Sequence, residues 1–328
     1  METAFVIGSN SFSGASFVDF ALQQNLNVIG ISRSAEPIEA MLPYKWRDHS
    51  QFSFYMLDLN KDLQGITDLL YAVKPKYVVN FAAQSMVAES WQNPQDWFMT
   101  NVVSTIKLHD VLRKCDFLER YVHVSTPEVY GSCSGFVDEN RPFNPSTPYA
   151  VSRAAADMSL RTFHAAYNFP VVTTRAANVY GPGQQLYRII PRTILFILLG
   201  RKLQLHGGGV STRSFIHMAD VSDATWRILK NGCNGDTYHI STSEVVSIRE
   251  LVERICAKLE VDFEDAVEVV GERLGKDSAY HLASTKVRSE LGWADQVALD
   301  QGLDECIAWV RENFEALKTS NYDYTHKP

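Results

Sequence analysis

The stretch Ala4 to Gly14, AFVIGSNSFSG, opens on an apolar run of strand length, turns at Gly8 and enters a helical pattern around Phe12. The first turn of a helix leaves backbone N–H groups without intrahelical partners, and these can face an anion such as a pyrophosphate. Gly8, Ser11, Phe12 and Gly14 are therefore candidate cofactor-binding residues. Position and context match a dinucleotide fingerprint, although Ser11 stands where a middle glycine is usual. Serine is small enough to admit a phosphate but tolerates unusual φ less well than glycine.

Working outward, further apolar runs of strand length sit at Asn27–Ser32, Phe52–Leu57, Tyr77–Ala82, Tyr121–Val124 and Pro170–Ala176. Stretches with apolar residues at spacings of three and four lie between them: Ala15–Gln24, Leu63–Val73 and Asn101–Lys114. Strands alternating with helices predict an α/β fold, a Rossmann-type doubly wound parallel sheet. A loop is expected from Asn178 to Tyr187, and beyond it shorter elements form a smaller mixed α/β substrate lobe. The division is residues 1–178 for the dinucleotide-binding domain, with some later segments returning to it, 179–320 mainly for the lobe, and 321–328 as a frayed polar tail.

The 328 residues suffice for a substantial core, and a net charge of -7 with dispersed charges gives no footprint for nucleic acid or an anionic membrane. A small-molecule partner is favoured. No apolar run reaches the length of a membrane span, and the first residues carry no basic leader. The five cysteines lack any metal-ligand spacing, so no metal is expected, and they read as reduced thiols of a cytoplasmic protein.

The strand ends carry the remaining candidates, because ligands of open α/β sheets bind there. After the second strand, Ser32-Arg33-Ser34 replaces the acidic residue that would hold the ribose 2′-hydroxyl of NAD. A guanidinium and two hydroxyls suit a 2′-phosphate, which favours NADP over NAD. Asp58 and Leu59 follow the third strand and Phe81, Ala82 and Ala83 the fourth. Ser125-Thr-Pro-Glu-Val-Tyr-Gly131 follows a strand, and Tyr149-Ala-Val-Ser-Arg153 starts a helix. These two pieces bring a hydroxyl, a carboxylate, a phenol and a cation to one cleft.

With Phe81-Ala-Ala-Gln-Ser85, Arg175-Ala-Ala-Asn-Val-Tyr-Gly-Pro182, Arg213-Ser-Phe-Ile-His217 and Arg273-Leu-Gly-Lys-Asp277, the chain resembles extended short-chain dehydrogenases acting on nucleotide sugars. Within them it resembles the 4,6-dehydratases for GDP-mannose and dTDP-glucose. The resemblance implies a tightly held, recycled NADP or NAD, with Tyr149 as the base at the sugar hydroxyl. Arg153 stands in the place of the family's lysine, and Thr126 bonds the reacting hydroxyl. Glu128 takes the C5 proton, and because Pro127 replaces an acid found in the dTDP-glucose enzymes, Glu128 would also protonate the leaving hydroxyl. Gln84 and Ser85 would line the sugar side, Asn178, Arg213 and Arg273 would grip the nucleoside diphosphate, and Arg192 would join them or a base-binding pocket. A homodimer through the helices at Asn101–Lys114 and Tyr149–Tyr167 is also implied. A 4-epimerase, a decarboxylase or a non-catalytic cofactor-binding relative are the alternatives, the last prompted by Ser11 and Arg153.

Overall fold

The computed structural model describes residues 1–47, 50–271 and 279–327. Seven strands form the central sheet: β1 (Thr3–Ile7), β2 (Asn27–Ser32), β3 (Phe52–Met56), β4 (Tyr77–Asn80), β5 (Arg120–Val124), β6 (Val171–Ala176) and β7 (Thr237–Ile240). Their order is β7-β6-β5-β4-β1-β2-β3, every neighbouring pair parallel. The order reverses between β1 and β4, which opens a crevice at their carboxyl ends. Except at the β3 edge, the strands are largely buried, as a sheet covered on both faces requires.

The crossover helices follow from their caps and spacing. Helix α1 (Phe12–Gln23) is capped by Ser11, whose hydroxyl accepts from Gly14 N at 3.1 Å and donates to Gly8 O at 2.7 Å. At φ -72° Ser11 lies in ordinary extended backbone, so no glycine is needed there; its hydroxyl does the work of a cap. Helix α2 (Leu63–Val73) buries Ile66 and Leu70 beneath the sheet. The helical path into α3 (Thr105–Leu112) begins earlier than the periodicity predicts, at Pro94–Phe98, and continues through a π-helical turn at Met99–Ser104. Helix α4 (Pro148–Tyr167) is capped by Thr147, with Pro148 in its first turn and Asn168 closing it at φ 52°.

The lobe gathers around α5 (Ile189–Leu198), α7 (Ile248–Lys258) and α8 (Leu299–Glu312), which share a core including Ile194, Leu251, Leu303 and Val310. Between them, α6 (Met218–Asn231) and β7 return to the main body, where Val221 and Ile228 pack with Val18. The expected loop after Asn178 begins instead with a strand, Asn178–Tyr180, paired in parallel with Phe215–His217.

The segment 321–327 has no regular structure, yet it is not the frayed tail its polar composition predicts. Tyr322 packs on Phe196, Tyr324 on Tyr187 and His326 on Trp97, so aromatic contacts hold it to the body. No helix among the described residues is long and apolar enough to cross a membrane, and all five cysteines are free.

Candidate active site

The crevice between β1 and β4 holds a cavity of about 370 Å³. Gly8, Ser11, Ser32, Arg33, Ser34, Asp58, Leu59, Phe81, Ala82 and Ala83 all line it. Gly8 has φ 82°, and a Cβ there would meet Ala82 N at 2.7 Å, so the turn presses against the end of β4. Asn10 N donates to Ser32 Oγ at 3.0 Å, which ties the turn to the end of β2. Phe12 and Gly14 lie beside the cavity instead of in its wall. The Phe12 ring joins the core, and a Cβ on Gly14 would collide with Gly8 O.

The second cluster forms where β5 ends. Thr126 caps a short turn, Pro127–Tyr130, and accepts from Glu128 N at 3.3 Å, which sets the carboxylate-bearing residue next to the hydroxyl. Tyr149, in the first turn of α4, is buried and hydrogen-bonded to Thr126. Burial pushes its phenol above the usual range, and the Glu128 carboxylate pushes it the same way. Arg153, the Thr126 bond and Arg188 pull it down. The net direction is upward: burial and the carboxylate outweigh the guanidinium one turn along α4.

Arg153 is 2% exposed. One terminal nitrogen donates to Val124 O and lies 3.4 Å from His123 Nε2, while its Nε and Nη1 have no partner among the described residues. Orphaned buried donors are costly unless a bound group satisfies them. Behind Arg153, Asp157 accepts from Ser125 Oγ and Arg175 Nη2, both at 2.7 Å, and Arg175 donates to Tyr130 OH at 2.5 Å. This network holds the end of β5 to α4.

The two clusters are joined by Asn101, in the π-helical turn. Its side chain accepts from Gln84 N at 2.9 Å and donates to Gln84 O at 3.0 Å and Ser152 Oγ at 2.9 Å. It therefore clamps the loop after β4 to α4, one residue before Arg153. Gln84 is buried, and Ser85 follows it on this loop.

On the lobe side, Asn178 Oδ1 accepts from Tyr280 OH at 3.4 Å, and Arg213 stacks on the Tyr280 ring at 4.5 Å. Burial raises the Tyr280 phenol, with Glu128 and Tyr149 both acting on it, so Asn178 and Arg213 belong to the same site as the chemical cluster. Arg192 does not join them. It bonds Tyr322 O and Asp323 and stacks over Phe196, because its position on α5 faces the C-terminal segment. Arg273 lies outside the described residues.

Three residues of this arrangement escaped the sequence reading: Asn101, Tyr280 and Lys327, the last of which lines the cavity. Asn101 had a signal, a polar residue on the face that Leu108 and Leu112 bury. Tyr280 and Lys327 had none, since only folding brings them to the cleft.

A family profile described as GDP-mannose 4,6 dehydratase matches residues 5–306. The chain belongs to this family. It is an extended short-chain-type nucleotide-sugar 4,6-dehydratase, a lyase on a Rossmann sheet, as its motifs implied. It is 31% identical over 333 residues to a dTDP-glucose 4,6-dehydratase of Xanthomonas campestris pv. campestris, covering 95% of this chain and 94% of that protein. It is 36% identical over 247 residues to the human dTDP-D-glucose 4,6-dehydratase, covering 74% and 70%. Among solved structures, the dTDP-glucose 4,6-dehydratase DesIV of Streptomyces venezuelae, with NAD and TYD bound, superposes with a TM-score of 0.89 at 31% identity, covering 96% of this chain and 98% of that one. A UDP-glucose 4-epimerase of Thermotoga maritima, 23% identical with a TM-score of 0.85, shares the fold.

The dehydratase's residues fit a nicotinamide dinucleotide. The turn at Gly8 offers helix N-terminal amides to a pyrophosphate, and the unpartnered Nε and Nη1 of Arg153 suit ribose hydroxyls.

Proposed function

We propose that the dehydratase acts on a nucleoside diphosphate sugar with Tyr149, Thr126 and Glu128 as its catalytic residues and Arg153 as the cation beside the base. The observation that carries this reading is the buried contact of Tyr149 with Thr126, with Glu128 and Arg153 acting on the same phenol. Tyr149 takes the proton of the sugar's C4 hydroxyl, which Thr126 holds by a hydrogen bond. A bound oxidised nicotinamide supplies the hydride acceptor for C4 and the donor for C6. Once C4 is a ketone the C5 proton is acidic, and Glu128 removes it and hands a proton to the C6 hydroxyl, which leaves as water. Pro127 has no group that could share this task. A proton returned at C5 balances the one taken from the C4 hydroxyl, so the sugar loses one water and the dinucleotide ends unchanged.

Asn178 and Arg213 hold the diphosphate side, supported by their common contact with Tyr280. The dinucleotide is NADP in preference to NAD, supported by Arg33 between two hydroxyl residues in the cavity wall. The protein works as a homodimer, supported by an exposed apolar strip along α4 and the helix leading into α3.

The roles separate in two variants. Glu128→Gln should still reduce the nicotinamide on mixing with substrate, yet release the 4-keto-6-deoxy product about 10²–10⁴ times more slowly, whereas Tyr149→Phe should lose both steps. Mass spectrometry follows the loss of water. Undiminished water loss by Glu128→Gln would remove the carboxylate from the mechanism.

A further inference from the structure

We propose that the C-terminal segment Asn321–Lys327 is part of the cofactor site, a strap across the mouth of the dinucleotide cleft that slows release of the cofactor and brings Lys327 to it as a further binding residue. The proposal rests on the reading of that cleft as a dinucleotide site. The Lys327 carbonyl accepts from Arg33 Nη1 at 3.0 Å and from Gln84 Nε2 at 2.6 Å. Arg33 belongs to the β2 side of the crevice and Gln84 to the β4 side, so one backbone oxygen bridges its two walls. The Lys327 ammonium reaches Ser34 Oγ at 3.3 Å, and Lys327 lines the same cavity as Gly8.

The rest of the segment is fastened outside the cavity, which distinguishes a strap from a plug. His326 Nε2 lies 2.7 Å from Asp96 Oδ2, and its ring stacks on the buried Trp97 with centroids 5.0 Å apart and planes within 12°. Tyr324 meets Tyr187 edge to face, and Arg192 binds Tyr322 O and Asp323. Lys327 alone among residues 321–327 lines the cavity, so the anchors can persist while a ligand lies beneath them. A dinucleotide is anionic along its phosphates, and Arg33 and Lys327 put two cations at the same opening. The anchors on Tyr187 and α5 also join this edge of the cleft to the substrate lobe.

Release of NADPH and of NADH is measured by stopped-flow fluorescence, without any sugar nucleotide, in the intact chain, in a chain ended after Ser320, and in His326→Ala. Loss of charge-assisted bonds and stacking should speed release about tenfold or more in the shortened chain, with a smaller rise in His326→Ala. Unchanged release in both variants would overturn the proposal, as would slower release from the shortened chain, which would make the segment a competitor of the cofactor. If the intact chain bound neither dinucleotide, the cleft reading would fail and the strap with it. A failure of dehydration alone would leave this measurement intact.

Discussion

At the level of a single side chain, the proposed preference for NADP rests on Arg33. A carboxylate at the end of β2 would accept from a ribose hydroxyl and repel a phosphate, whereas a guanidinium does the reverse. Replacing it by alanine should weaken NADP binding about 10- to 100-fold while NAD binding changes much less. Arg33 also helps hold Lys327, so a loosened strap would weaken both cofactors together; the ratio of the two dissociation constants is therefore the readout. Equal losses for NADP and NAD would show that Arg33 does not read the 2′-phosphate. Residues with a local signature were legible before folding. The turn at Gly8, the Thr126–Glu128 pair and Tyr149 with Arg153 each sit at a strand end or helix start that the sequence marks. Ser11 was read as a weakened glycine because the sequence shows a missing residue type, not the N-cap that replaces it. Arg192 was misplaced for a different reason: a helix period gives the face of an arginine, but its partners, Tyr322 and Asp323, arrive from the far end of the chain.

At the scale of elements, the strands β1, β2 and β4 to β6 were readable because a strand buried on both faces must be a short apolar run bounded by turns. Strand β7 was not marked, since Thr237–Ile240 alternates polar and apolar residues and is defined by its pairing with β6. Helix α8 carries the helical signal in Leu299, Leu303, Cys306, Ile307 and Val310, but Gly302 inside it reads as a breaker. Its lack of a side chain makes room for the Tyr180 hydroxyl, a reason visible only after packing. The paired helices raise an expectation of assembly. Phe98, Met99 and Val103 on the path into α3, and Val151 and Met158 on α4, are 37–58% exposed at spacings that put them on outward faces. The two helices pack side by side, so these residues form a strip that a second copy can cover by twofold symmetry. Light scattering at micromolar concentration should give twice the 37.0 kDa chain mass, and Val103→Glu with Met158→Glu should shift it to one chain. A wild-type chain that runs as a monomer would refute this assembly.

Across the whole molecule, the strand end that carries the proposed catalytic residues is backed by polar groups that run through the interior from α3 to β7. His109 and His123 contact the Tyr121 hydroxyl at 3.2 and 3.0 Å, and His239 contacts Tyr130 at 2.7 Å. All three are fully buried. Burial is the first cause that keeps each imidazole neutral; His109 and His123 lie well below the ordinary value, and His239 is lowered to about 3, with Arg175 as its second cause. In the unfolded chain the same side chains take up protons near pH 6.5. Below that pH the unfolded state therefore binds more protons than the folded one, and stability falls as the solution is acidified until the folded values are reached. Each histidine contributes a slope of about 1.4 kcal/mol per pH unit, so the three together approach about 4 kcal/mol per unit, a large share of a typical domain's stability. Urea midpoints should be level from pH 8 to 7 and then drop steeply from about pH 6.5 to 5.5. Replacing His239 by Gln, which cannot take the proton, should make that drop shallower, since one proton-uptake site of the unfolded chain is gone. An acid slope unaltered by this replacement would mean that the buried imidazoles are not what limits the fold at low pH.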